Sequence, residues 1–175
     1  MRADTESTAS GQPRTVRQIV DHDGRRLQFV RRVDGDAGLR DGLRALYDRF
    51  EDTDRAQGIP PASPERRREW FERFLDTPGV GVAACHDDRV VGHGRLLGDG
   101  DGPAELAVFV DSAYQNAGVG TSLLRTLLSV ARERGLPEVV LSVERSNTPA
   151  RTLYRRFGFE TVNRRRFEIE MRLSL

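Results

Sequence analysis

The residues with the clearest chemical potential are Gln115-Asn-Ala-Gly118-Val-Gly120-Thr121, between an apolar run (Glu105-Leu-Ala-Val-Phe-Val110) and a helical pattern. Glycines at the mouth of a helix let the backbone approach a ligand and leave several N–H groups unpaired. With the positive end of the helix dipole, those groups make a seat for phosphates. A Gly-x-Gly pair on its own is equally a tight turn. A Walker A loop requires Gly-Lys-Ser/Thr, and all 28 basic residues are arginine, so that phosphate site and Schiff-base chemistry are both excluded. A dinucleotide-binding fold fits poorly. Gly118-Val-Gly120-Thr-Ser-Leu123 opens a helix and the next strand ends at the acidic Glu144. But the third glycine is missing, and Asp111 to Ala117 intervene where a close turn is needed.

Other reactive side chains are few. His86 falls in a turn and His93 in a strand, neither with a partner at ligand spacing, so no metal site is expected. Cys85, the one cysteine, excludes a disulfide framework and reads as a small core residue. Arg66-Arg-Arg68 and Arg164-Arg-Arg166 read as solvated faces. They lack interleaved aromatics, and 28 basic against 27 acidic residues leave a net charge of +1, so nucleic acid is not an expected partner. Trp70, Phe71 and Phe74 form an apolar helix face, either core or substrate wall, with core the plainer reading.

The elements that must position these residues follow from periodicity. Met1 to Arg14 reads as a disordered polar tail, with a single domain from 15 to 175. Thr15–Val20 and Arg26–Arg31 flank Asp21-His-Asp-Gly24 as a hairpin. Leu39, Leu43, Leu46, Tyr47 and Phe50 mark a helix, and Ser63-Pro64 starts a second after a loop from Glu51. Strands are expected at Val80–Cys85, Arg89–Leu97, Glu105–Val110 and Val139–Val143, with a helix carrying Val119, Leu123, Leu127 and Leu128 before the last of these. Thr148-Pro149 opens a short helix that stops at Gly158, and Phe167, Ile169, Met171 and Leu173 alternate as a closing strand. The class is α/β, a mixed sheet covered by helices. No run of 18 apolar residues and no apolar block before Gly24 is present, so neither membrane nor export is expected and a cytoplasmic location is.

Gln115-x-x-Gly118-x-Gly120 after a strand resembles the acyl-CoA pyrophosphate loop of the GNAT (GCN-related N-acetyltransferase) superfamily. Ala104 to Tyr114 is similar to that family's fourth strand and Val139 to Val143 to its fifth. Asn147-Thr-Pro-Ala-Arg-Thr-Leu-Tyr154-Arg-Arg-Phe-Gly-Phe159 is similar to the signature that follows. The resemblance covers roughly residues 80 to 173. It implies a twisted, mostly antiparallel sheet of six to seven strands, helices on both faces, and a splay between the fourth and fifth strands that takes the pantetheine arm of acetyl-CoA. Backbone groups of Val108, Phe109 and Val110 would pair with the arm, and an amide near Val110 would polarise the thioester carbonyl. Gln115, Asn116, Ala117, Gly118, Val119, Gly120 and Thr121 would form the pyrophosphate loop, its amides holding the phosphates, and Asn147 would orient the arm. Tyr154 would be the acid for the leaving thiolate, against a plain packing role. Glu105 would be the base, against a solvent-facing strand end, with Glu144 in reserve. The implied reaction is acetyl transfer to a primary amine of a small molecule or protein, without metal, in a chain that could pair as a homodimer. A non-catalytic acyl-CoA-binding regulatory module and a dinucleotide-binding oxidoreductase are the other classes.

Overall fold

Pairing of Arg14 with Arg31 begins an eight-stranded sheet whose order is β1-β2-β3-β4-β5-β6-β8-β7. The strands are β1 (Arg14–Val20), β2 (Arg26–Arg31), β3 (Gly79–His86), β4 (Arg89–Leu97), β5 (Ala104–Val110), β6 (Glu138–Glu144), β7 (Glu160–Arg164) and β8 (Glu168–Ser174). The helices are α1 (Ala37–Asp48), α2 (Pro64–Asp76), α3 (Val119–Glu133) and α4 (Thr148–Arg156), with a 3₁₀ turn at Ser112–Tyr114. The structure, a computed structural model, describes residues 14–31, 36–51, 59–100 and 102–175. The expected tail up to residue 13 and residues 52–58 of the expected loop lie outside the described residues; Arg14 itself begins β1.

The sheet has more strands than the six to seven expected, and β7 is the one that periodicity did not reveal. Four of its five residues are exposed, so it carries no alternation of apolar and polar positions. The helix starts follow local chemistry. Asp36 accepts from the Leu39 amide at 2.9 Å to begin α1, and Ser63 caps α2 with Pro64 in its first turn.

Two cores lie on opposite faces of the sheet. On one, Leu123, Leu124, Leu127 and Leu128 of α3 pack on Phe29, Val82, Val91 and Leu106. Gly94 makes that approach possible: a Cβ there would stand 2.6 Å from Leu127 Cδ1. On the other face, Leu43, Leu46 and Tyr47 of α1 meet Phe71, Phe74 and Leu75 of α2 over Ala83 and Val90. Among the described residues, no helix is long and apolar enough to cross a membrane.

Candidate functional site

β5 and β6 run parallel and pair at Ala104↔Val139 and Glu105↔Val140, and no further. Beyond that point the sheet is split, because β4 still follows β5 up to Gly92↔Val110. The Asp111 amide donates to the Val91 carbonyl at 2.9 Å. Backbone groups alternate in direction along an antiparallel pair, so Phe109 and Ala107 also turn theirs toward β4. Leu106, Val108 and Val110 therefore aim their N–H and C=O groups at the gap. Gln115 Nε2 donates to the Val110 carbonyl at 3.2 Å, which leaves the Val108 groups and the Val110 N–H for an extended ligand. Gln115 thus ties the loop to the end of β5. This β5–β6 pair is the one parallel pairing among the described strands, so they do not form the parallel sheet of a dinucleotide fold.

The two loop glycines are there for different reasons. Gly118 precedes α3 with φ of 93°, a left-handed conformation that disfavours a side chain, and it makes no side-chain cap. Asn116 shares the left-handed region at φ 59°. The Gly118 carbonyl receives the Ser122 amide at 3.1 Å, so the amides of Val119, Gly120 and Thr121 have no partner within the helix. Gly120 is ordinary helix, and a Cβ there would meet only Leu153 Cδ2 and Val110 Cγ2 at 3.8 Å, which is normal contact. The fold does not require glycine at 120. A helix start with three unpaired amides and no Cβ at its second residue leaves room for a phosphate chain to approach the backbone.

α4 closes the same end. Asn147 caps it, its Oδ1 accepting from the Ala150 amide at 3.1 Å, so the residue expected to orient the arm holds the helix with its oxygen and keeps its amide N–H₂ for a ligand. Tyr154 packs against the α3 core, 5.7 Å from the Phe159 ring centroid. Burial pushes its phenol up to about 12, so it stays protonated and can donate. Among the described residues its hydroxyl has no hydrogen-bond partner.

The two candidate bases part company. Glu105 is exposed and sits where β5 and β6 are still paired, five residues before Val110, about 17 Å along the strand. It is not brought to the open end. Glu144 ends β6, half-buried, within 3.3 Å of the Ser146 hydroxyl. Val139, Leu141 and Val143 point into the α3 core, so alternation turns Glu144 to the other face, across the gap from Phe109.

Beside that face lies an aromatic cluster drawn from four elements and their flanks. Tyr47, Phe50, Trp70, Phe74, His93 and Phe109 have ring centroids 4.8–6.3 Å apart. His93 is buried and meets the Tyr47 hydroxyl at 2.6 Å, so it belongs to the packing beneath Phe109. Burial raises the Tyr47 phenol well above its ordinary value, with the Arg95 charge opposing. Cys85 packs against this core and burial pushes its thiol up to about 11, which makes it a poor nucleophile.

Asp111 is a buried ion-pair centre at the end of β5 that periodicity missed. It accepts from Arg49 Nε and Arg89 Nη2, each at 2.9 Å, and clamps the end of β5 to α1 and to the start of β4. Burial pushes its carboxyl up, but these hydrogen bonds and the Ala113 amide outweigh that and hold it below its ordinary value. The partners are 62 and 22 residues away, so no local pattern signals the cluster. Among the described residues no group of three or more His, Cys, Asp or Glu is placed to hold a metal. A cavity of about 270 Å³ between Gly79, Leu96, Gly100 and Arg134 lies at the paired end of β5, away from the gap.

Residues 43–159 match the acetyltransferase (GNAT) family. The mycothiol acetyltransferase of Thermobifida fusca (strain YX) is 36% identical over 137 residues, 73% of this chain and 41% of that protein. The chain spans between 29% and 41% of the length of three such mycothiol acetyltransferases. The L-methionine sulfoximine/L-methionine sulfone acetyltransferase of Pseudomonas aeruginosa is 31% identical over 134 residues, 71% of this chain and 78% of that protein. The fold is that of the GNAT domain of S. lividans PAT, with a TM-score of 0.75 at 22% identity over 91% of this chain and 96% of that one. It is also that of the PaiA N-acetyltransferase from Thermoplasma acidophilum in complex with coenzyme A, with a TM-score of 0.64 at 15% identity over 85% of this chain and 99% of that one.

Proposed function

The chain belongs to the GNAT acetyltransferase family, and from that premise we propose that it moves an acetyl group from acetyl-CoA to a primary amine, both substrates bound together. The observation that carries this reading is the split between β5 and β6 after Glu105↔Val140, with the glycine-led start of α3 beside it. A gap edged by unpaired strand backbone takes an extended amide-bearing arm as an added strand. The amides of Val119, Gly120 and Thr121 hold the pyrophosphate, the Val108 backbone pairs with the arm, and the Val110 N–H polarises the thioester carbonyl. The Asn147 amide N–H₂ steadies the arm from the opposite side.

The acceptor enters on the α1/α2 face, where Phe109 and Glu144 flank the gap. Its amine is protonated at neutral pH, with a free pKa of about 10.4 for a lysine-like group, and needs a base before it can attack. Glu144 takes that proton, directly or through one water, because Glu105 sits at the paired end. The nitrogen then bonds to the acetyl carbon and the carbon–sulfur bond breaks. Tyr154 gives its proton to the departing sulfur and regains one, the second amine proton, through solvent, while Glu144 releases the proton it took to solvent. The high pKa of the Cys85 thiol and its place in the aromatic core favour direct attack over an acyl-enzyme.

The test is acetyl-CoA turnover over a panel of amines, read by free-thiol release: amino acids, amino sugars, polyamines and peptides with free N-termini or lysines. Amine-dependent thiol release is expected with at least one class. Coenzyme binding without release on any of them would favour a non-catalytic acyl-CoA module.

A further inference from the structure

The β1–β2 turn is not used by the chemistry above, yet it presses on the phosphate loop from behind. His22 N–H donates to the Ala117 carbonyl at 3.1 Å, and His22 Nδ1 lies 3.3 Å from the Asn116 carbonyl oxygen. A carbonyl can only accept, so the proton of this contact sits on Nδ1. Arg25 Nη1 donates to the Ala113 carbonyl at 3.0 Å, and its guanidinium lies 4.1 Å from the centroid of the Tyr114 ring. Two carbonyls of the loop, and one of the 3₁₀ turn before it, are thus engaged by one hairpin turn.

A trans peptide unit points its C=O and its N–H in opposite directions. With the Asn116 and Ala117 carbonyls turned toward His22, the N–H groups of Ala117 and Gly118 must face away from it, and Gly118 leads directly into α3, whose first amides have no partner within the helix. We propose that the β1–β2 turn aims these two amides at the coenzyme's pyrophosphate, with His22 as a positioning residue for coenzyme binding. The inference rests on the reading that this loop takes coenzyme A.

The turn is built to hold a shape. Asp21 is buried and accepts from the Asp23 amide at 3.0 Å, the Arg25 amide at 2.9 Å and Arg25 Nε at 2.6 Å. Arg25 Nη2 also reaches Asp23 at 2.8 Å, and Tyr114 is fixed in turn by His86 Nδ1 at 2.8 Å from its hydroxyl. His22 Nε2 lies 3.3 Å from where a Gly118 Cβ would stand, so the ring backs the glycine that turns into α3. A hairpin 94 residues away in sequence therefore sets the backbone of a loop that is flexible by composition.

The experiment is calorimetric binding of CoA and of phosphate-free pantetheine to the full chain and to the variants His22→Ala and His22→Asn. Asn keeps a donor near the Nδ1 position; Ala does not. Losing one exposed hydrogen bond should weaken CoA binding about 5-fold in His22→Ala. His22→Asn should restore most of it, and pantetheine affinity should hold in both. In spectra of the labelled protein, the Ala117 and Gly118 amide shifts on CoA addition should shrink in His22→Ala. Equal CoA affinity in all three proteins, or equal weakening of CoA and pantetheine, would overturn the positioning role. An unmodified chain that binds no CoA would instead overturn the underlying reading, and the inference with it.

Discussion

The side of the gap proposed for the coenzyme and the aromatic side are built on different plans. The side proposed for the coenzyme comes from two local segments, Val108 to Thr121 and Asn147 to Tyr154, and most of what it offers is backbone: split strand edges, a left-handed Gly118, free helix amides. The aromatic side gathers side chains from α1, α2, β4 and β5, and its character depends on which residues those elements happen to present. Backbone recognition suits a ligand that never changes, and side-chain recognition suits one that differs between relatives. The two groups proposed to move protons straddle the division. Tyr154 packs on the α3 core, and Glu144 faces the α1/α2 side.

The largest test of that division is Glu144→Gln. It preserves shape and removes the base, so amine-dependent turnover should fall about 10²–10⁴-fold while CoA affinity holds. The loss should be smaller for an acceptor of low pKa, already neutral at pH 7. Tyr154→Phe keeps the ring packing and removes the donor, so turnover should drop by about 10²-fold with little change in melting temperature. Because burial pushes the phenol up to about 12, the proposed turnover of the native chain should hold through pH 10 and fall only as pH rises toward that value. A decline in rate centred near the ordinary tyrosine value would remove Tyr154 as the acid.

Gly120→Ala sharpens the contrast further. The new methyl fits the protein at 3.8 Å and favours helix by up to about 1 kcal/mol, so the unliganded chain should melt no lower. The same methyl stands in the phosphate seat, so CoA affinity should fall about 10-fold on loss of close backbone contact. Unchanged affinity would mean that nothing approaches the backbone there. The smallest expected effect is that of Glu105→Gln, within about 2-fold in turnover, as for other surface substitutions. A loss as large as that of Glu144→Gln would return the base to β5.

The contrast also explains what could be read from the chain directly. The Gln115–Thr121 loop, the β5 run and the α4 start are local patterns whose proposed chemistry came from their resemblance to a family, while the strand–helix–strand order from Glu105 to Glu160 was legible from periodicity. The position of Glu105 relative to the open end was not. It depends on where β5 and β6 stop pairing, and periodicity within a single strand does not encode that. The Asp111 clamp and the His22 contact were hidden for the same reason, since each joins residues far apart in sequence. β7 escaped because its pattern is nearly all exposed, and its pairing with β8 rather than burial makes it a strand. The Asp21-His-Asp-Gly24 turn was visible as a turn, but what it leans on was not.

The central claim is that the loop from Gln115 to Thr121 seats the coenzyme. Thermal melting with and without acetyl-CoA, in the native chain and in Gly118→Glu, tests it most directly. At about 100 times its dissociation constant the ligand adds roughly 2.7 kcal/mol, so the native chain should melt several degrees higher, and desulfo-CoA should do nearly as well. Gly118→Glu puts bulk and negative charge at the start of α3, at a backbone conformation that favours glycine, and its melting temperature should not respond to either ligand. A native chain whose melting is indifferent to acetyl-CoA, or a Gly118→Glu protein that shifts as far as the native one, would contradict the claim.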